Sequence, residues 1–298
     1  MRGFKPPARV SSFWFAVSFV IPPRHCFFGR GCYIPPMPRM RRTRKTASPD
    51  AKPARQSGLL RDMDTARPLA SLVFLSPALL FYAVGCIWVR PDLAARADIL
   101  LREALKVLGV SGVLAPTWLA VIVLIIWHLA KRDPWRVSPW VLLLMLGETA
   151  LLAVPLFAIE PVFNAVAHSL PTLELAPTQP SDATYLAVAM TSIGAGIYEE
   201  LLFRLLLVGG TIFILRHGLK EESFGGHVAV ILIAAGLFAG AHLIDDPSQF
   251  AWVTFLFRTA AGIYLGFIFV YRGFGIAAGV HILFDVVVKL GTAMGYGA

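Results

Sequence analysis

The sequence predicts an all-α protein, a polytopic bundle of about seven to eight transmembrane helices behind a disordered basic N-terminal tail. Hydrophobic residues make up 57% of the chain and charged residues only 15%, whereas soluble domains carry about 25% charged residues. The mean hydropathy is +0.68. The apolar runs lack the strict alternation of a transmembrane barrel, and an open sheet cannot span lipid.

Seven apolar stretches approach the roughly 20 residues that a membrane-spanning helix needs. An eighth span arises if the long fourth stretch breaks at Gly209–Gly210. Between the first two stretches, residues 90–106 carry four basic and three acidic residues among regular leucines, a pattern typical of an amphipathic helix on the membrane surface. The seven stretches are Leu69–Val89, Val113–Ala130, Pro139–Ile159, Ala183 to about Leu215, His227–Leu243, Phe250–Tyr271 and Phe274–Met294.

The charge distribution divides the chain. Residues 1–68 contain 14 Lys and Arg against 3 Asp and Glu, a net charge of +11, and the remaining residues have a net charge of −2. The tail is rich in proline and arginine and has little periodicity, which is typical of disorder. It gives little support to nucleic-acid binding, and we expect no nucleic-acid partner. A solvated cytoplasmic tail and an upstream start codon, with Met63 as the alternative start, both remain open.

Three segments follow from this pattern: the tail at 1–68, N-terminal transmembrane helices at 69–182 and a C-terminal transmembrane domain at 183–298. Basic residues at 131–136 and 216–220 predict cytoplasmic loops, because Lys and Arg in short loops stay inside. The connection at 160–182 contains neither Lys nor Arg and is expected outside. The sequence therefore predicts a multi-pass protein with a cytoplasmic tail, although the basic residues at 90–106 conflict with this topology.

Charged residues inside the fourth stretch indicate a functional site. A formal charge in the bilayer costs on the order of 2.5 to 3.5 kcal/mol, so it is kept where it pairs or performs chemistry. Glu200 and Arg204 lie four residues apart and are expected to pair on one helix face. Glu199 points about 100° away and lacks a local counter-charge, which suits a general base. The alternative is a packing network of both glutamates with Arg204 and Arg258.

Two later spans add further ionisable groups. His242 ends a segment of small residues and could equally be an interfacial side chain. His281 and Asp285 lie four residues apart on the last span, where they could simply satisfy each other's hydrogen bonds. Ionisable groups on three separate helices are nevertheless better explained by one shared site, because an ionisable residue inside a membrane usually has a function.

Three motifs together resemble those of a known family. Glu199-Glu200-Leu201-Leu202-Phe203-Arg204, Phe238-Ala239-Gly240-Ala241-His242 and His281-Ile282-Leu283-Phe284-Asp285 are similar, in order and spacing, to motifs of the CPBP family. This family comprises the CAAX-protease and bacteriocin-processing (Abi-type) intramembrane glutamic endopeptidases. The resemblance covers about residues 183–294, and the earlier spans and the tail carry no motif.

The resemblance implies an intramembrane peptidase that requires no metal or other cofactor. It implies that Glu199 and His242 activate water, that Glu200 and Arg204 support the site or the substrate, and that His281 and Asp285 stabilise the oxyanion. Two positions depart from the family pattern. Asp285 stands where asparagine is frequent, so it must be protonated or act by orienting His281. Leu205 stands where many members have glycine.

Other functions and partners remain open at this point. The same side chains could ligate zinc in a metalloprotease, form a relay in an ion-coupled transporter, or persist in an inactive membrane scaffold. A lipidated substrate and one with a C-terminal sorting segment fit the family equally well.

The frequent arginine and alanine indicate a GC-rich bacterial source and hence the inner membrane. A G-x-x-x-G motif from Gly262 to Gly266 predicts close helix packing, within the bundle or in a dimer.

Overall fold

The computed structural model describes residues 65–89, 95–169, 185–220, 223–242 and 252–295, and every regular element within these ranges is helical. All of them belong to one unit, Lys52–Ala298. The all-α prediction is therefore confirmed for the described residues, and most of the predicted tail at 1–68 lies outside them. Eight helices follow in order: α1 Pro68–Val84 with a π-helical extension Gly85–Val89, α2 Arg96–Val107, α3 Ala115–Lys131, α4 Pro139–Ser169, α5 from Tyr185 to Leu219, α6 Phe224–Ala241, α7 Trp252–Arg272 and α8 Phe274–Ala293.

Helix length and composition confirm an integral membrane protein. Five of the described helices, α1, α4, α6, α7 and α8, are long and apolar enough to cross a membrane. Helix α3 is equally apolar but has 17 residues. Helix α5 carries the buried charges of the site. With these two, the seven predicted spans are all helices.

Helix α2 has the two faces that its sequence predicts. Ala97, Asp98 and Leu101 are buried against the bundle, while Ile99 and Leu100 are exposed. The Asp98 carboxylate accepts a hydrogen bond from Tyr82 Oη of α1 at 2.7 Å and forms an ion pair with Arg102. Burial raises the pKa of Asp98, and the Tyr82 and Arg102 contacts offset this effect. The basic residue Arg102 is therefore neutralised within its own helix.

Helix α4 extends further than predicted. The sequence analysis ended this span at Ile159, before Glu160 and Pro161, but the helix continues to Ser169. Proline removes one backbone hydrogen bond without ending a long helix when neighbouring turns are intact. A hydrogen bond from the Asn164 side-chain amide to Glu160 on the preceding turn supports the extension. The predicted outer connection therefore starts ten residues later.

Helix α5 does not break at Gly209–Gly210, so the eight-span alternative is wrong for the described residues. The α-helix Tyr185–Glu199 passes directly into a π-helix, Glu200–Gly209, then α-helix Gly210–Ile214 and π-helix Leu215–Leu219. Both glycines keep right-handed helical dihedrals. A Cβ at Gly209 would lie 3.2 Å from the Phe269 ring. The missing side chain at 209 thus permits close packing on α7 and does not bend the chain.

The G-x-x-x-G motif of α7 packs within the bundle. A Cβ on Gly262 would lie 3.1 Å from Ala235 Cβ, and one on Gly266 would lie 2.8 Å from Ile231 Cγ2. Both neighbours belong to α6, whose N-cap is Ser223. The Ser223 hydroxyl oxygen accepts a hydrogen bond from Gly226 N–H at 3.0 Å. Small residues let two helices approach closely. This contact fixes α6, and with it His242, relative to α7.

Helix α8 occupies the centre of the bundle. Its first seven residues, 274–280, are all buried. Gly275 N–H donates to Ser71 Oγ of α1 at 3.0 Å. A Cβ at Gly196 of α5 would lie 2.5 Å from Ile282 Cγ1, so α5 and α8 touch next to the two candidate motifs. The fold thereby brings the acidic motif and the last motif into contact.

Candidate active site

The structure brings the six candidate residues into one cluster between three helices. Helix α5 contributes Glu199, Glu200 and Arg204, the C-cap of α6 is His242, and α8 contributes His281 and Asp285. Glu199, Glu200, Arg204 and His281 are buried. The clustering that the sequence analysis expected of three separate helices is therefore present in the geometry.

Glu200 is the centre of a buried charge network. Its Oε1 atom lies 2.9 Å from Arg204 Nη1 and accepts a hydrogen bond from His281 Nδ1 at 2.8 Å. The side chain of Glu200 is fully buried and that of Arg204 nearly so. A buried carboxylate is tolerated when a cation and a hydrogen-bond donor share it. The expected pairing of Glu200 with Arg204 is present, and His281 is a further partner.

Phe238 of α6 contacts three members of the cluster. Its ring lies 4.5 Å from Arg204 Cζ in a cation–π arrangement. Its centroid is 5.0 Å from that of His242 and 6.3 Å from that of His281, both edge-to-face. An aromatic face attracts a guanidinium group and excludes water from it. Phe238 was quoted in the sequence motif without a role, and only its position could show these contacts.

Glu199 lies between the two imidazoles. Its Oε1 atom is 3.8 Å from His242 Nε2, and its Oε2 atom is 3.8 Å from His281 Nε2. These separations exceed the 2.7–3.2 Å of a direct hydrogen bond. Two polar atoms 3.8 Å apart can, however, both contact one small molecule placed beside the line that joins them. Glu199 thus has two imidazole neighbours that sequence spacing could not reveal.

Hydrogen bonding fixes the tautomer of His242. Its Nδ1 atom is 2.9 Å from the Phe238 carbonyl oxygen, one helical turn back. A carbonyl oxygen only accepts hydrogen bonds, so Nδ1 carries the hydrogen. In the neutral ring the lone pair is then on Nε2, the atom that faces Glu199. His242 is therefore oriented as a proton acceptor towards the space beside Glu199.

Asp285 has a partner that the sequence analysis missed. Its Oδ2 atom lies 2.5 Å from Lys289 Nζ, one turn further along α8. Its Oδ1 atom is 3.8 Å from His281 Nε2, beyond hydrogen-bonding distance. The residue that directly orients His281 is Glu200. The four-residue spacing of Asp285 and Lys289 was a readable signal for this pair.

The acidic motif lies where α-helix changes to π-helix. The change occurs between Glu199 and Glu200, and π-helical turns are frequently found at functional sites. Tyr198, just before the motif, is fully buried. Its hydroxyl group is 2.7 Å from Thr117 Oγ1 of α3, and its ring contacts Tyr82 edge-to-face at 5.2 Å. The turn that carries Glu199 is thus anchored to α1 and α3.

A further ion pair joins two helices outside the cluster. Glu148 of α4 pairs with Arg272 at the end of α7. No sequence spacing links these two residues, so the sequence analysis did not predict the pair.

Within the described ranges, no group of three or more His, Cys, Asp and Glu side chains is arranged to hold a metal ion. Together with Lys289, the cluster has three carboxylates, two imidazoles and two basic side chains, and each of them pairs with or lies close to another member. This arrangement can accept, hold and donate protons.

Comparison with known proteins identifies the segment that carries this cluster. Residues 181–287 match the family model described as type II CAAX prenyl endopeptidase Rce1-like. No curated protein and no solved structure matches the chain significantly. The matched segment contains all six candidate residues, and it agrees with the resemblance to the CAAX-protease family drawn from the motifs. The segment 181–287 is therefore similar to the Rce1-like CAAX prenyl endopeptidases, a family of membrane proteases.

Proposed function

We propose that this protein is an intramembrane endopeptidase of the glutamic type, which hydrolyses a peptide bond in a membrane-associated protein or peptide. The observation that carries this proposal is the position of Glu199, 3.8 Å from the Nε2 atoms of both His242 and His281. A buried carboxylate beside two imidazoles can activate a water molecule for attack on a carbonyl group.

The first step is water activation. A water molecule beside Glu199 and His242 can donate one hydrogen to the carboxylate and the other to the lone pair of His242 Nε2. The hydrogen bond from Nδ1 to the Phe238 carbonyl fixes the tautomer that leaves this lone pair on Nε2. As the water oxygen bonds to the scissile carbonyl carbon, Glu199 takes the proton. A carboxylate in a partly desolvated site is a stronger base than one in water, which suits this role.

The second step is stabilisation of the tetrahedral intermediate. His281 donates from Nδ1 to Glu200, so the ring is held with Nε2 towards the space beside Glu199. Protonated at Nε2, it offers an N–H donor to the oxyanion. When the intermediate collapses, the carbon–nitrogen bond breaks and the proton from Glu199 moves to the leaving amine. The new carboxyl group then gives its remaining proton to His242 Nε2, so that the products are a carboxylate and an amine.

Asp285 supports His281 electrostatically in this mechanism. An uncompensated carboxylate would repel the oxyanion, but Lys289 pairs with Asp285 at 2.5 Å. The paired carboxylate can attract an Nε2–H of His281 without adding net charge to the site. Glu200 and Arg204 act as positioning residues, since they contact each other and His281 and lie deepest in the bundle.

The matched family is described by its prenylated CAAX substrates, and we extend this only to a membrane-anchored polypeptide. Lipidated substrates and substrates with a C-terminal sorting segment are both within the proposal. We further propose that the multi-pass chain lies in a bacterial inner membrane with its basic tail in the cytoplasm. A dimer is a separate proposal. The G-x-x-x-G motif of α7 does not support it, because both glycines pack against α6.

The test is proteolysis of a library of membrane-anchored peptides by the purified, detergent-solubilised full-length protein. Wild type is compared with Glu199→Gln and His242→Ala, each with and without a chelator. We expect both substitutions to lower kcat by about 10² to 10⁴ and the chelator to have no effect. Glu148→Gln is the matched control, because it removes a carboxylate that pairs with Arg272 away from the cluster.

Three outcomes would contradict the proposal. Cleavage that a chelator abolishes and zinc restores would indicate a metalloprotease. Equal cleavage by wild type and Glu199→Gln would remove Glu199 from the mechanism. Absence of any cleavage that depends on Glu199 across the library would favour a scaffold or an ion-coupled transporter, the latter testable by proton flux in proteoliposomes.

A further inference from the structure

One face of α5 packs on α1 and α2 just before the acidic motif. It consists of Met190, Gly194 and Tyr198, which share one side of the helix because they lie four residues apart, and it is called here the docking face. A Cβ at Gly85, at the end of α1, would lie 2.5 Å from Met190 Cε. A Cβ at Gly194 would lie 2.7 Å from Ala95 Cβ, at the start of α2. Both helices therefore approach α5 closely along this face.

Tyr82 of α1 joins the docking face to α2. Its ring contacts the Tyr198 ring edge-to-face at 5.2 Å, and a Cβ at Gly194 would overlap it. Its hydroxyl group donates to Asp98 Oδ2 at 2.7 Å and accepts a hydrogen bond from Ala95 N–H at 3.0 Å. The whole side chain is buried. A single tyrosine of α1 therefore holds α2 and α5 together.

Asp98 is a buried carboxylate on the packed face of α2, where Ala97 and Leu101 are apolar. Arg102 binds both of its oxygens, with Nε 3.1 Å from Oδ1. A buried ion pair is often no more stabilising than apolar residues of similar volume, because both charges lose their hydration. The pair is therefore better explained by the position that it gives to the Tyr82 hydroxyl group than by a gain in stability.

The docking face fixes the rotation of α5 about its axis. Glu199 directly follows Tyr198, and its side chain points about 100° away from that face. Its carboxylate lies 3.8 Å from an Nε2 atom of His242 and of His281. A side chain ends about 5 Å from the helix axis, so a rotation of about 10° moves it by about 1 Å. A displacement of this size can lower a catalytic rate on the order of 10²-fold.

We infer that Asp98 and Tyr82 are positioning residues for Glu199, and that α2 thereby takes part in placing the general base. Asp98 holds the Tyr82 hydroxyl group, and the Tyr82 ring supports Tyr198. The turn that carries Glu199 is fixed through Tyr198. Both positioning residues lie outside the segment 181–287 that matches the family. Their role in catalysis rests on the proposed peptidase function, whereas the contacts themselves do not.

Two variants break this chain of contacts at one hydrogen bond and leave no buried charge unpaired. Tyr82→Phe removes the hydroxyl group and keeps the ring. Asp98→Leu with Arg102→Leu removes the acceptor and both charges, and we expect its apolar side chains to preserve stability. The full-length protein in detergent is assayed with the substrate that the peptide library identifies. Tyr264→Phe is the matched control, because it removes a hydroxyl bond to a carbonyl group of α4.

We expect Tyr82→Phe and the Leu–Leu variant each to lower kcat by about fivefold, the effect of one lost hydrogen bond, with KM unchanged. The triple variant should lose no more than either, because both changes break the same bond. The unfolding temperature of the Leu–Leu variant should equal that of wild type. Unchanged kcat in Tyr82→Phe, or additive losses in the triple variant, would overturn the inference. An equal loss in Tyr264→Phe would also overturn it, because the effect would then be one of general stability.

Hydrogen exchange of backbone amides tests the contacts without catalysis. We expect residues 190–199 to exchange several-fold faster in Tyr82→Phe than in wild type, and those of α7 to exchange at the wild-type rate. In Tyr264→Phe, residues 190–199 should exchange as in wild type. Unchanged exchange of this stretch in Tyr82→Phe would overturn the inference, because α5 would not depend on the bond. Faster exchange without any cleavage that depends on Glu199 would contradict only the proposed function.

Discussion

His281 Nδ1 donates a hydrogen bond to Glu200 Oε1 at 2.8 Å, across 81 residues of sequence. The same oxygen lies 2.9 Å from Arg204, so a single carboxylate both compensates a buried guanidinium and fixes an imidazole ring. The first acidic residue of the motif is thereby left to face the two histidines. The two adjacent glutamates therefore have different partners: Glu200 binds Arg204 and His281, and Glu199 faces the two imidazoles.

Replacing Glu200 by Gln is expected to impair both folding and catalysis. Arg204 would become an uncompensated buried charge, which costs about 3 to 5 kcal/mol of unfolding free energy. The ring of His281 would lose its fixed orientation, and kcat is expected to fall by about 10². Thermal unfolding in detergent and peptidase kinetics measure the two effects. Unchanged stability would show that Glu200 does not compensate Arg204.

Lys289 is expected to matter through Asp285. Lys289→Met leaves an unpaired carboxylate 3.8 Å from His281 Nε2, and kcat should fall by about tenfold, because about 1.4 kcal/mol of added barrier suffices for this. Asp285→Asn removes the charge and should remain active. The double variant should regain most of the activity of Asp285→Asn. Equal loss in Lys289→Met and the double variant would contradict the electrostatic argument.

Gly196 is expected to tolerate no side chain. A Cβ at this position would lie 2.8 Å from the backbone nitrogen of Ile282 as well as 2.5 Å from its Cγ1 atom. Gly196→Ala should therefore separate α5 from α8, at a cost of about 1 to 3 kcal/mol, and lower kcat because His281 directly precedes Ile282. Gly236→Ala on α6 is the matched control, since no atom lies within 4 Å of its added Cβ. Similar unfolding temperatures for the two variants would refute the close contact.

Tyr198 is expected to position the catalytic turn. Tyr198→Phe and Thr117→Val each remove the same 2.7 Å hydrogen bond, worth about 1 kcal/mol. We expect kcat to fall several-fold in each variant with KM unchanged, and no further in the double variant. Tyr264→Phe removes a comparable 2.8 Å bond to the Leu152 carbonyl and should leave kcat unchanged. A parallel loss of kcat in Tyr264→Phe would assign the effect to general stability.

Local spacing made part of this structure predictable. The four-residue intervals from Glu200 to Arg204 and from His281 to Asp285 placed each pair on one helix face. Apolar run lengths predicted the spans, and acids among regular leucines predicted the two faces of α2. Each of these inferences needs only the period of a helix and the cost of burying charge.

The remaining features depend on contacts between helices. The two imidazole neighbours of Glu199 come from helices 43 and 82 residues away in sequence, and no spacing rule links them. The Glu148–Arg272 pair joins α4 to α7, and no spacing rule predicts it either. The break considered as an alternative at Gly209–Gly210 does not occur, because Gly209 allows close packing there. The early end assigned to α4 was wrong because proline weakens a long helix without ending it.

The π-helical stretch Glu200–Gly209 has a consequence for comparing sequences. Each π turn holds one residue more than an α turn, so residues after it are displaced along and around the helix axis. A relative that is α-helical throughout this region would superpose on the part of α5 after this stretch only if its alignment contained a gap between 200 and 209. Alignments that forbid such a gap would pair Gly209 with a residue that points away from Phe269.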